Sequence, residues 1–387
     1  MIEKLRKQGV LPGDRIAVYM KNSPLLIDLI FAAWDLGANI CPLNTRLPPC
    51  QIGAYLERLQ PKLYIDETGI SARTAQPCET RSSMFLFTSG STGVPKIAVL
   101  SKESLMANAA SAIRTLELHA GDRWLLSLPL FHVGGVSILL RCALAKAKAV
   151  LDTHDPEITH LSFVPTQLYR ATPIYKNLRC LLLGGGPVIH VPKHLPTYLT
   201  YGLTEMGSIV CAKKEPLCVQ GRYYLGHPLP DREVRIAPDG EIEVRGKCLF
   251  QGYWEDGKLT LPLKDGWYPT GDLGIYCPEK GLAIVGRKDW QFISGGENIQ
   301  PEEVERAILQ CPEIQEVIVM GKPDPEFGAR PIAFVRTTDA TFTLEKMVKT
   351  LQHLLPKYKI PVAMYRLDEF PRKGLKVDRR ALSLLLR

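Results

Sequence analysis

Short apolar segments alternate with longer amphipathic segments along the first half of the chain. The apolar segments are rich in β-branched and aromatic residues and have the length of strands, whereas the segments between them repeat their apolar positions at helical spacing. The predicted strands lie at residues 15–19, 62–65, 84–87, 97–100, 124–128 and 180–183, and the predicted helices at 25–34 and 102–116. This alternation predicts an α/β fold with mostly parallel sheets covered by helices.

The hydrophobic pattern changes at about Gly221. The apolar segments become shorter and are separated by turn sequences such as Pro238-Asp239-Gly240. Proline, aspartate and glycine favour a reversal of the chain. The pattern therefore predicts a small β-rich subdomain over about residues 221–286.

The C-terminal part predicts a further unit. Pro301 is followed by three glutamates within four positions, and proline with acidic residues is typical of the first turn of a helix. Strands near 317–320 and 332–335 and a helix from about Leu344 complete the pattern of a small α+β domain. We therefore predict a large N-terminal domain at 1–286, a linking segment at 287–289 and a small C-terminal domain at 290–387.

Composition limits the classes of protein that the chain can form. Of its 387 residues, 45% are hydrophobic and 23% are charged, which is typical of a globular protein and excludes a largely disordered chain. The longest apolar stretch, at 25–40, is interrupted by Asp28 and Asp35, so no membrane span is predicted. No secretory signal follows Met1 and the ten cysteines are scattered. We therefore expect a cytoplasmic protein without a disulfide framework or structural zinc site.

The chain is moderately basic, with 48 Lys and Arg residues, 40 Asp and Glu residues and a net charge of +8. The charges are dispersed, and no run of five or more like charges occurs. This distribution favours a solvated surface that mildly attracts anionic ligands over a nucleic-acid interface. We therefore expect small anionic molecules, and no nucleic acid, among the partners of the protein.

A segment rich in glycine and hydroxyl groups directly follows the predicted strand at 84–87. Its candidate phosphate-binding residues are Thr88, Ser89, Gly90, Ser91, Thr92, Gly93 and Lys96. Backbone N–H groups exposed by glycine, several hydroxyls and one ammonium group are what a polyphosphate requires. The Walker A pattern does not fit, because Pro95 stands where its second glycine belongs and Ile97 follows the lysine. The alternative is a flexible surface loop, which would rarely combine these groups directly after a buried strand.

This segment resembles the signature loop of the acyl-activating (adenylate-forming) superfamily, which includes acid–CoA ligases, luciferases and the adenylation domains of peptide synthetases. Six further motifs that are similar to those of the superfamily occur in the expected order. They are Pro-Leu-Phe-His-Val-Gly-Gly at 129–135, Leu-Gly-Gly-Gly-Pro at 183–187, Tyr-Gly-Leu-Thr-Glu at 201–205, Tyr-Pro-Thr-Gly-Asp at 268–272, Gly-Arg-Lys-Asp at 286–289 and a lysine-containing segment at 371–380. The resemblance therefore covers nearly the whole chain.

The resemblance implies that two of these motifs bind the adenine and phosphates of ATP. The adenine would lie on a turn formed by Gly184, Gly185 and Gly186. The next motif would supply a ring that stacks on adenine, a threonine that contacts phosphate and a glutamate that helps to hold Mg²⁺, and its residues are Tyr201, Gly202, Thr204 and Glu205. The glycine turn does not fit the dinucleotide-binding fingerprint, because Ile189 occupies the last position. A Thr-Glu pair by itself is equally typical of a helix cap.

The resemblance also implies residues for the ribose and the acyl group. Asp272 would accept hydrogen bonds from both ribose hydroxyls, and Arg287 would be a second ribose contact. His132 would line the acyl pocket. Considered alone, a histidine flanked by apolar residues is more typical of a protein core, and a Gly-Asp pair is a common turn.

The C-terminal motifs imply a mobile small domain. Asp289 occupies the position of the superfamily hinge, and Gly295 and Gly296 match a loop that helps to build the channel for the pantetheine arm of CoA. Lys376 would be the catalytic lysine that bridges the carboxylate and the α-phosphate. Leu375 stands where the superfamily usually has glycine, so Lys373 is an alternative. The segment at 377–382 favours Lys376.

The implied activity is that of an ATP-dependent acid–CoA ligase, with ATP, Mg²⁺ and CoA as cofactor and co-substrates and a small carboxylic acid as substrate. Among such ligases, the motifs are most similar to those of the o-succinylbenzoate–CoA ligases of menaquinone biosynthesis. The second carboxylate of such an acid would need donors, and the candidates are Thr166, Gln167 and Arg170.

Several alternatives to this function remain open. Other aryl-, cinnamyl- or fatty-acid–CoA ligases share every nucleotide motif, and a peptide-synthetase adenylation domain would normally be paired with a carrier domain. From another class, a binding protein could keep the fold without catalysis. The chain is short for the superfamily, with abbreviated links at 66–81 and 154–160. The sequence leaves the oligomeric state open.

Overall fold

The computed structural model describes the chain except for residues 76, 89–94, 171–174, 187, 189–190, 220, 374–375 and 387. The side chains of residues 49, 166, 169, 170, 373 and 376 also lie outside the described part. Within the described residues, no helix is both long enough and apolar enough to cross a membrane.

Nine α-helices occur among the described residues. In chain order they are α1 Ile2–Lys7, α2 Pro24–Asp35, α3 Pro49–Leu59, α4 Lys102–Thr115, α5 Val133–Ala145, α6 Pro165–Arg170, α7 Pro301–Ile308, α8 Leu344–Leu351 and α9 Arg379–Leu384. Proline stands in the first turn of α2, α3 and α7, where its missing N–H has no helical partner to lose. The side chains of Ser23, Ser101 and Thr343 cap α2, α4 and α8.

The strands of the first half are β1 Arg15–Tyr19, β2 Asn39–Pro42, β3 Leu63–Asp66, β4 Gly69–Ala72, β5 Ser83–Thr88, β6 Lys96–Ser101, β7 Arg123–Leu125, β8 Lys148–Val150, β9 His160–Phe163, β10 Cys180–Leu183, β11 Thr197–Leu203 and β12 Ser208–Lys214. Those of the second half are β13 Cys218–Val219, β14 Arg222–Tyr223, β15 Arg232–Ile236, β16 Glu241–Gly246, β17 Gly252–Glu255, β18 Lys258–Thr260, β19 Tyr268–Cys277, β20 Gly281–Arg287, β21 Phe292–Ser294, β22 Glu297–Ile299, β23 Ile314–Asp324, β24 Gly328–Thr337, β25 Ala363–Arg366, β26 Arg372–Lys373 and β27 Lys376–Val377.

The first large sheet has eight strands in the order β18-β17-β6-β5-β2-β1-β3-β4. Its central strands β3, β1, β2 and β5 are parallel, and antiparallel strands extend it on both sides. Ile16 and Val18 of β1 pack into one hydrophobic cluster, whereas Ala17 packs into another. Successive side chains of a strand point to opposite faces, so both faces of this sheet are covered.

The second large sheet has six strands in the order β12-β11-β10-β9-β7-β8. Every neighbouring pair is parallel except β11 and β12. In β10, Cys180 and Leu182 face the main core, and Leu181 faces a smaller cluster on the other side. The predicted α/β class, with parallel strands buried on both faces, is confirmed.

A third sheet of four strands, in the order β15-β16-β19-β20, is entirely antiparallel. It lies within the segment predicted to be β-rich. The strands β17 and β18, which come between β16 and β19 in the chain, do not join it. They extend the first large sheet instead, through pairing of β17 with β6.

The C-terminal part has its own three-stranded sheet, in the order β23-β24-β25. Residues of α7 and α8, including Val304, Ile308 and Met347, form a hydrophobic cluster with one face of this sheet. Leu382 of α9 and Phe370 pack with the other face. This is the predicted α+β arrangement, and the domain boundaries at 286 and 290 stay a prediction.

Candidate active site

The carboxyl ends of β9, β10 and β11 lie side by side in the second large sheet. The N–H of Gly184, directly after β10, donates to the carbonyl oxygen of Phe163 at the end of β9, at 3.3 Å. Ligands of open α/β sheets bind at this edge. The structure therefore brings together here two of the predicted motifs, the glycine turn and the Tyr201–Glu205 segment.

Glycine is required at several positions of this edge. A Cβ atom at Gly184 would lie 2.2 Å from Oγ1 of Thr200, and one at Gly202 would lie 2.2 Å from a carbonyl oxygen of β12. Gly185 has φ +75°, in the left-handed region that favours glycine. Gly185 and Gly186 are exposed. The turn thus offers bare backbone, against which a flat base can lie.

Tyr201 is hydrogen-bonded to a pair of charged residues from the third sheet. Its hydroxyl donates to Oδ2 of Asp272 at 2.8 Å, and Oδ1 of Asp272 lies 2.9 Å from Nη1 of Arg287. Asp272 and Arg287 are register partners on β19 and β20. Burial, followed by the Asp272 carboxylate, raises the pKa of Tyr201 well above its usual value, so the hydroxyl stays protonated and donates. Three residues predicted around one nucleotide are in direct contact.

Glu205 lies in a short 3₁₀ turn, Thr204–Met206, directly after β11. Its Oε1 accepts a hydrogen bond from the hydroxyl of Tyr253 at 2.6 Å. Among the described residues, none donates a hydrogen bond to its Oε2. Such a carboxylate, half-buried with one oxygen held, fits a hard divalent cation that is bound mainly by phosphates and needs one or two protein oxygens.

The two ends of the predicted phosphate loop meet beside Glu205. Thr88 ends β5 and Lys96 begins β6, and the two residues are antiparallel partners. The ammonium group of Lys96 lies 4.9 Å from the ring centroid of Tyr253, which is the residue that holds Glu205. The remaining predicted loop residues lie outside the described residues, and they are Ser89, Gly90, Ser91, Thr92 and Gly93.

His132 stands at the N-cap position of α5. It is exposed, unlike a core histidine, and its ring centroid lies 4.6 Å from that of Phe131. Its N–H donates to the carbonyl oxygen of Pro129, and a Cβ atom at Gly135 would lie 2.3 Å from that same oxygen. The predicted motif is therefore a tight turn that presents the imidazole at a surface.

The linking segment is held against the third sheet by charged pairs. Asp289 lies in a 3₁₀ turn, and its Oδ2 is 3.0 Å from Nη2 of Arg287. The ammonium group of Lys288 lies 2.6 Å from Asp239 and 2.7 Å from Glu241. The first pair joins Asp289 to Arg287, which contacts Asp272, and the pairs of Lys288 join the segment to β16 and the turn before it.

Gly295 and Gly296 form the turn between β21 and β22. Their φ angles are +58° and +85°, as a two-residue hairpin turn of the primed type requires. The N–H of Gly295 donates to the carbonyl oxygen of Phe327 at 2.9 Å. Ile293, on the same hairpin, is 59% exposed, so the hairpin presents an apolar side chain next to accessible backbone.

Lys376 begins β27 and is the register partner of Lys373 in β26. The side chains of both lysines, and the two residues between them, lie outside the described part. The two candidates for the catalytic lysine are thus opposite each other on one short hairpin.

Two tyrosines of this site were not predicted from the sequence. Tyr253 belongs to none of the motifs. Tyr268 begins the motif at 268–272, in which the resemblance implies a role only for Asp272. Their hydroxyls lie 2.8 Å apart, and both rings pack edge-on against Phe250. The only local signal was the run of aromatic residues around Gly252, which is equally typical of a buried strand.

Gln167, a candidate for binding a second carboxylate, has a local partner. Its side-chain oxygen accepts the N–H of Val164 at 2.9 Å, at the start of α6. The side chains of the other two candidates, Thr166 and Arg170, lie outside the described part.

The family model described as "AMP-binding enzyme" matches residues 3–82 and 66–254, and the one described as "AMP-binding enzyme C-terminal domain" matches residues 303–375. The chain is similar to 2-succinylbenzoate–CoA ligases of several bacteria. It is 35% identical to that of Haemophilus influenzae, over 98% of this chain and 88% of the relative. It is 31% identical to that of Geobacillus kaustophilus, over 99% of this chain and 90% of the relative.

Solved structures show the same likeness. One is a single-substitution variant of the MenE protein of E. coli with bound OSB-AMS, at a TM-score of 0.82 and 32% identity, covering 100% of this chain and 90% of that one. Another is the o-succinylbenzoate CoA synthetase of Bacillus subtilis with ATP and magnesium ion, at a TM-score of 0.82 and 27% identity, covering 99% of this chain and 92% of that one. The motifs, the fold and the two matching models agree, and the chain belongs to the AMP-binding enzyme family.

Proposed function

We propose that the protein is an AMP-forming 2-succinylbenzoate–CoA ligase of menaquinone biosynthesis, acting in the cytoplasm. It would convert the acid to an acyl-adenylate with release of pyrophosphate, and then transfer the acyl group to CoA with release of AMP. The observation that carries the nucleotide chemistry is that the carboxylate of Glu205 and the ring of Tyr201, both from one motif, are each held by residues predicted for the same nucleotide or beside it: Tyr253 joins Glu205 to Lys96, and Asp272 joins Tyr201 to Arg287. The choice of acid is supported by relatives with this activity that match nearly the whole chain.

Activation of a carboxylate by ATP is mainly an electrostatic problem. Two anions must approach each other, so the site needs positioned cations and N–H donors around the phosphates. The loop from Thr88 to Lys96 would cradle the phosphates, and Lys376 would bridge the attacking carboxylate and the α-phosphate. No general base is required, because a carboxylate is already a nucleophile.

The nucleotide would be held at the carboxyl edge of the second sheet. The ring of Tyr201 and the turn at Gly184–Gly186 would hold adenine. Asp272 would accept hydrogen bonds from the ribose, since each carboxylate oxygen keeps a second lone pair after binding Tyr201 or Arg287. Arg287 both orients Asp272 and would contact the ribose.

Mg²⁺ would be held by Glu205, whose Oε1 is fixed by Tyr253. When bound, the cation supplies positive charge that neutralises the phosphate oxygens. Thr204, in the same 3₁₀ turn, would donate to phosphate.

The second step would use another arrangement of the same chain. We infer a large domain at 1–286, a hinge at 287–289 and a small domain at 290–387 that rotates after adenylation. Rotation would withdraw Lys376 and bring the hairpin of Gly295 and Gly296 to the channel for the pantetheine arm. One site would thereby serve two reactions.

His132 would line the acyl pocket, where an exposed imidazole next to Phe131 could contact the aromatic acid.

The alternative substrates are other aryl or fatty acids. The test is pyrophosphate release with 2-succinylbenzoate, ATP and Mg²⁺, with and without CoA. Acid-dependent release and formation of AMP and the thioester are expected, and absence of acid-dependent release with any carboxylic acid would contradict the proposed activity.

Replacing Asp272 with alanine should weaken the binding of ATP and of the acyl-adenylate together, because both carry the same ribose diol. A hydrogen bond to a charged group contributes about 1.5–3 kcal/mol, so both dissociation constants should rise by about ten- to a hundredfold. Isothermal titration calorimetry measures both. Asp155→Ala is the matched control, because it removes a carboxylate 2.7 Å from Arg123 with a side chain only 10% exposed. Unchanged ATP affinity in folded Asp272→Ala would refute this nucleotide position.

Replacing Asp289 with proline should leave adenylation intact and abolish CoA transfer. Proline holds φ near −65°, so the hinge would be restricted to one arrangement. Asp289→Asn, which removes the carboxylate but leaves φ free, is the control. Pyrophosphate release and thioester formation are measured separately, and a normal rate of thioester formation in Asp289→Pro would contradict the hinge.

A further inference from the structure

Tyr253 contacts two parts of the proposed active site at once. Its hydroxyl lies 2.6 Å from Oε1 of Glu205, and its ring centroid lies 4.9 Å from the ammonium group of Lys96. It belongs to β17, where it pairs with Ala98, two residues after Lys96. This pairing explains how a residue outside every motif reaches both the phosphate loop and the carboxylate.

The direction of the hydrogen bonds around Tyr253 follows from their chemistry. An ionised carboxylate only accepts, so the single hydroxyl proton of Tyr253 is donated to Glu205. The contact of 2.8 Å between the hydroxyls of Tyr253 and Tyr268 must then run from Tyr268 to Tyr253. The result is a directed chain, Tyr268 to Tyr253 to Glu205.

The rings of this chain are held in place by packing. Phe250 lies edge-on to both tyrosines, with centroid distances of 4.9 Å to Tyr253 and 5.3 Å to Tyr268. Phe250 is 2% exposed, and its N–H donates to the carbonyl oxygen of Glu205 at 2.8 Å. The backbone of Glu205 and the hydroxyl that holds its carboxylate are therefore positioned by the same cluster.

We propose that Tyr253 is a positioning residue for the adenylation step, which orients Glu205 toward the metal of Mg·ATP and keeps Lys96 beside the phosphates. The inference rests on the proposed function, because it concerns the same metal and nucleotide. With Oε1 held by Tyr253, the free Oε2 has one preferred direction. Without the hydroxyl, the carboxylate rotates, and the cation loses a pre-oriented ligand.

The direct test is the binding of Mn²⁺ in the presence of ATP, measured by electron paramagnetic resonance without any acid. In Tyr253→Phe, which keeps the ring beside Lys96, the Mn²⁺ dissociation constant should rise by about tenfold or more, the usual effect of losing a hydrogen bond to a charged group. In Tyr253→Leu, which also removes the ring, ATP binding without metal should weaken as well. Tyr268→Phe should show a smaller change in the same direction.

Tyr198→Phe is the matched control. Tyr198 is 2% exposed, and its hydroxyl donates to the carboxylate of Glu117 at 3.1 Å, so the substitution removes the same kind of bond near the start of β11, at the end of the strand away from Glu205. It should leave the Mn²⁺ constant unchanged. A general loss of stability would affect both variants, whereas the positioning role affects only Tyr253→Phe.

The two half-reactions give a second readout. In Tyr253→Phe, the Mg²⁺ concentration for half-maximal adenylation should rise, whereas thioester formation from preformed acyl-adenylate should keep the wild-type rate. A merely structural role would lower both rates. When Tyr253→Phe is added to Glu205→Gln, the double variant should lose no more adenylation activity than Glu205→Gln alone, because the carboxylate that Tyr253 orients has already been replaced.

The outcomes separate this inference from the proposed function. If the wild-type protein binds Mn²⁺ and ATP but Tyr253→Phe binds them equally well, the positioning role is overturned and the ligase proposal stands. If the wild-type protein binds no Mn²⁺ with ATP, both are overturned. If metal binding responds as expected but 2-succinylbenzoate is not adenylated, the positioning role stands and only the choice of acid is lost.

Discussion

Replacing Lys376 with alanine should nearly abolish acyl-adenylate formation and leave thioester formation from preformed acyl-adenylate almost unchanged. The lysine would neutralise charge that develops as the carboxylate attacks the α-phosphate, and that charge exists only in the first transition state. Loss of one such group typically costs about 10²–10³ in rate. A cation that serves a single transition state lowers only that barrier. Single-turnover pyrophosphate release and thioester formation are the two measurements.

Lys373→Ala is the matched control for this prediction. Lys373 and Lys376 are register partners on one hairpin, so the two variants remove the same charge from paired positions of the same element. Loss of adenylation in Lys373→Ala alone would transfer the role to Lys373. An equal loss of both half-reactions in Lys376→Ala would show that the lysine does not act on adenylation alone.

The largest expected discrimination is between 2-succinylbenzoate and 4-phenyl-4-oxobutanoate. The second acid keeps the succinyl carboxylate and the ketone and lacks only the ring carboxylate. A site that binds a buried anion is left with unpaired donors when that anion is missing, and the penalty can reach about 10⁴-fold in kcat/KM. We expect a loss of that order, with benzoate, cinnamates and medium-chain fatty acids also poor substrates.

The measurement is kcat/KM for each acid at saturating ATP and CoA. The KM for ATP should be the same with both acids, because the ring carboxylate lies outside the nucleotide site, and this value serves as the internal control. Comparable kcat/KM values for the two acids, or a preference for a fatty acid, would remove the menaquinone assignment and leave the acid–CoA ligase proposal intact.

Much of the fold could be predicted because its central strands are buried on both faces. The segment at 15–19 contains the apolar run Ile16-Ala17-Val18, and in the structure these three residues are each 0% exposed. Helix α4 begins where Ser101 caps it, and the predicted helix at 102–116 ends within one residue of the observed one. Apolar periodicity and caps act over a few residues, so they are visible in the sequence.

The destination of β17 and β18 could not be predicted in this way. Both lie within the segment that the sequence indicates as β-rich, yet they extend the first large sheet by pairing with β6. Strand propensity indicates that a segment is extended, but it does not indicate which strand the segment pairs with. The choice of partner depends on which sheet edge and hydrophobic surface the completed fold places beside the segment.

The sequence by itself determined the α/β class and the order of the motifs, because these depend on residues that are close together along the chain. The tertiary structure decided which hydroxyl meets which carboxylate. Tyr201 reaches Asp272 across 71 residues, and Tyr253 reaches Glu205 across 48. A hydroxyl donates to whichever acceptor lies within about 3 Å in the folded chain. When two residues are this far apart in the sequence, the distance between hydroxyl and acceptor cannot be inferred from the sequence. It is fixed only when the sheets pack together.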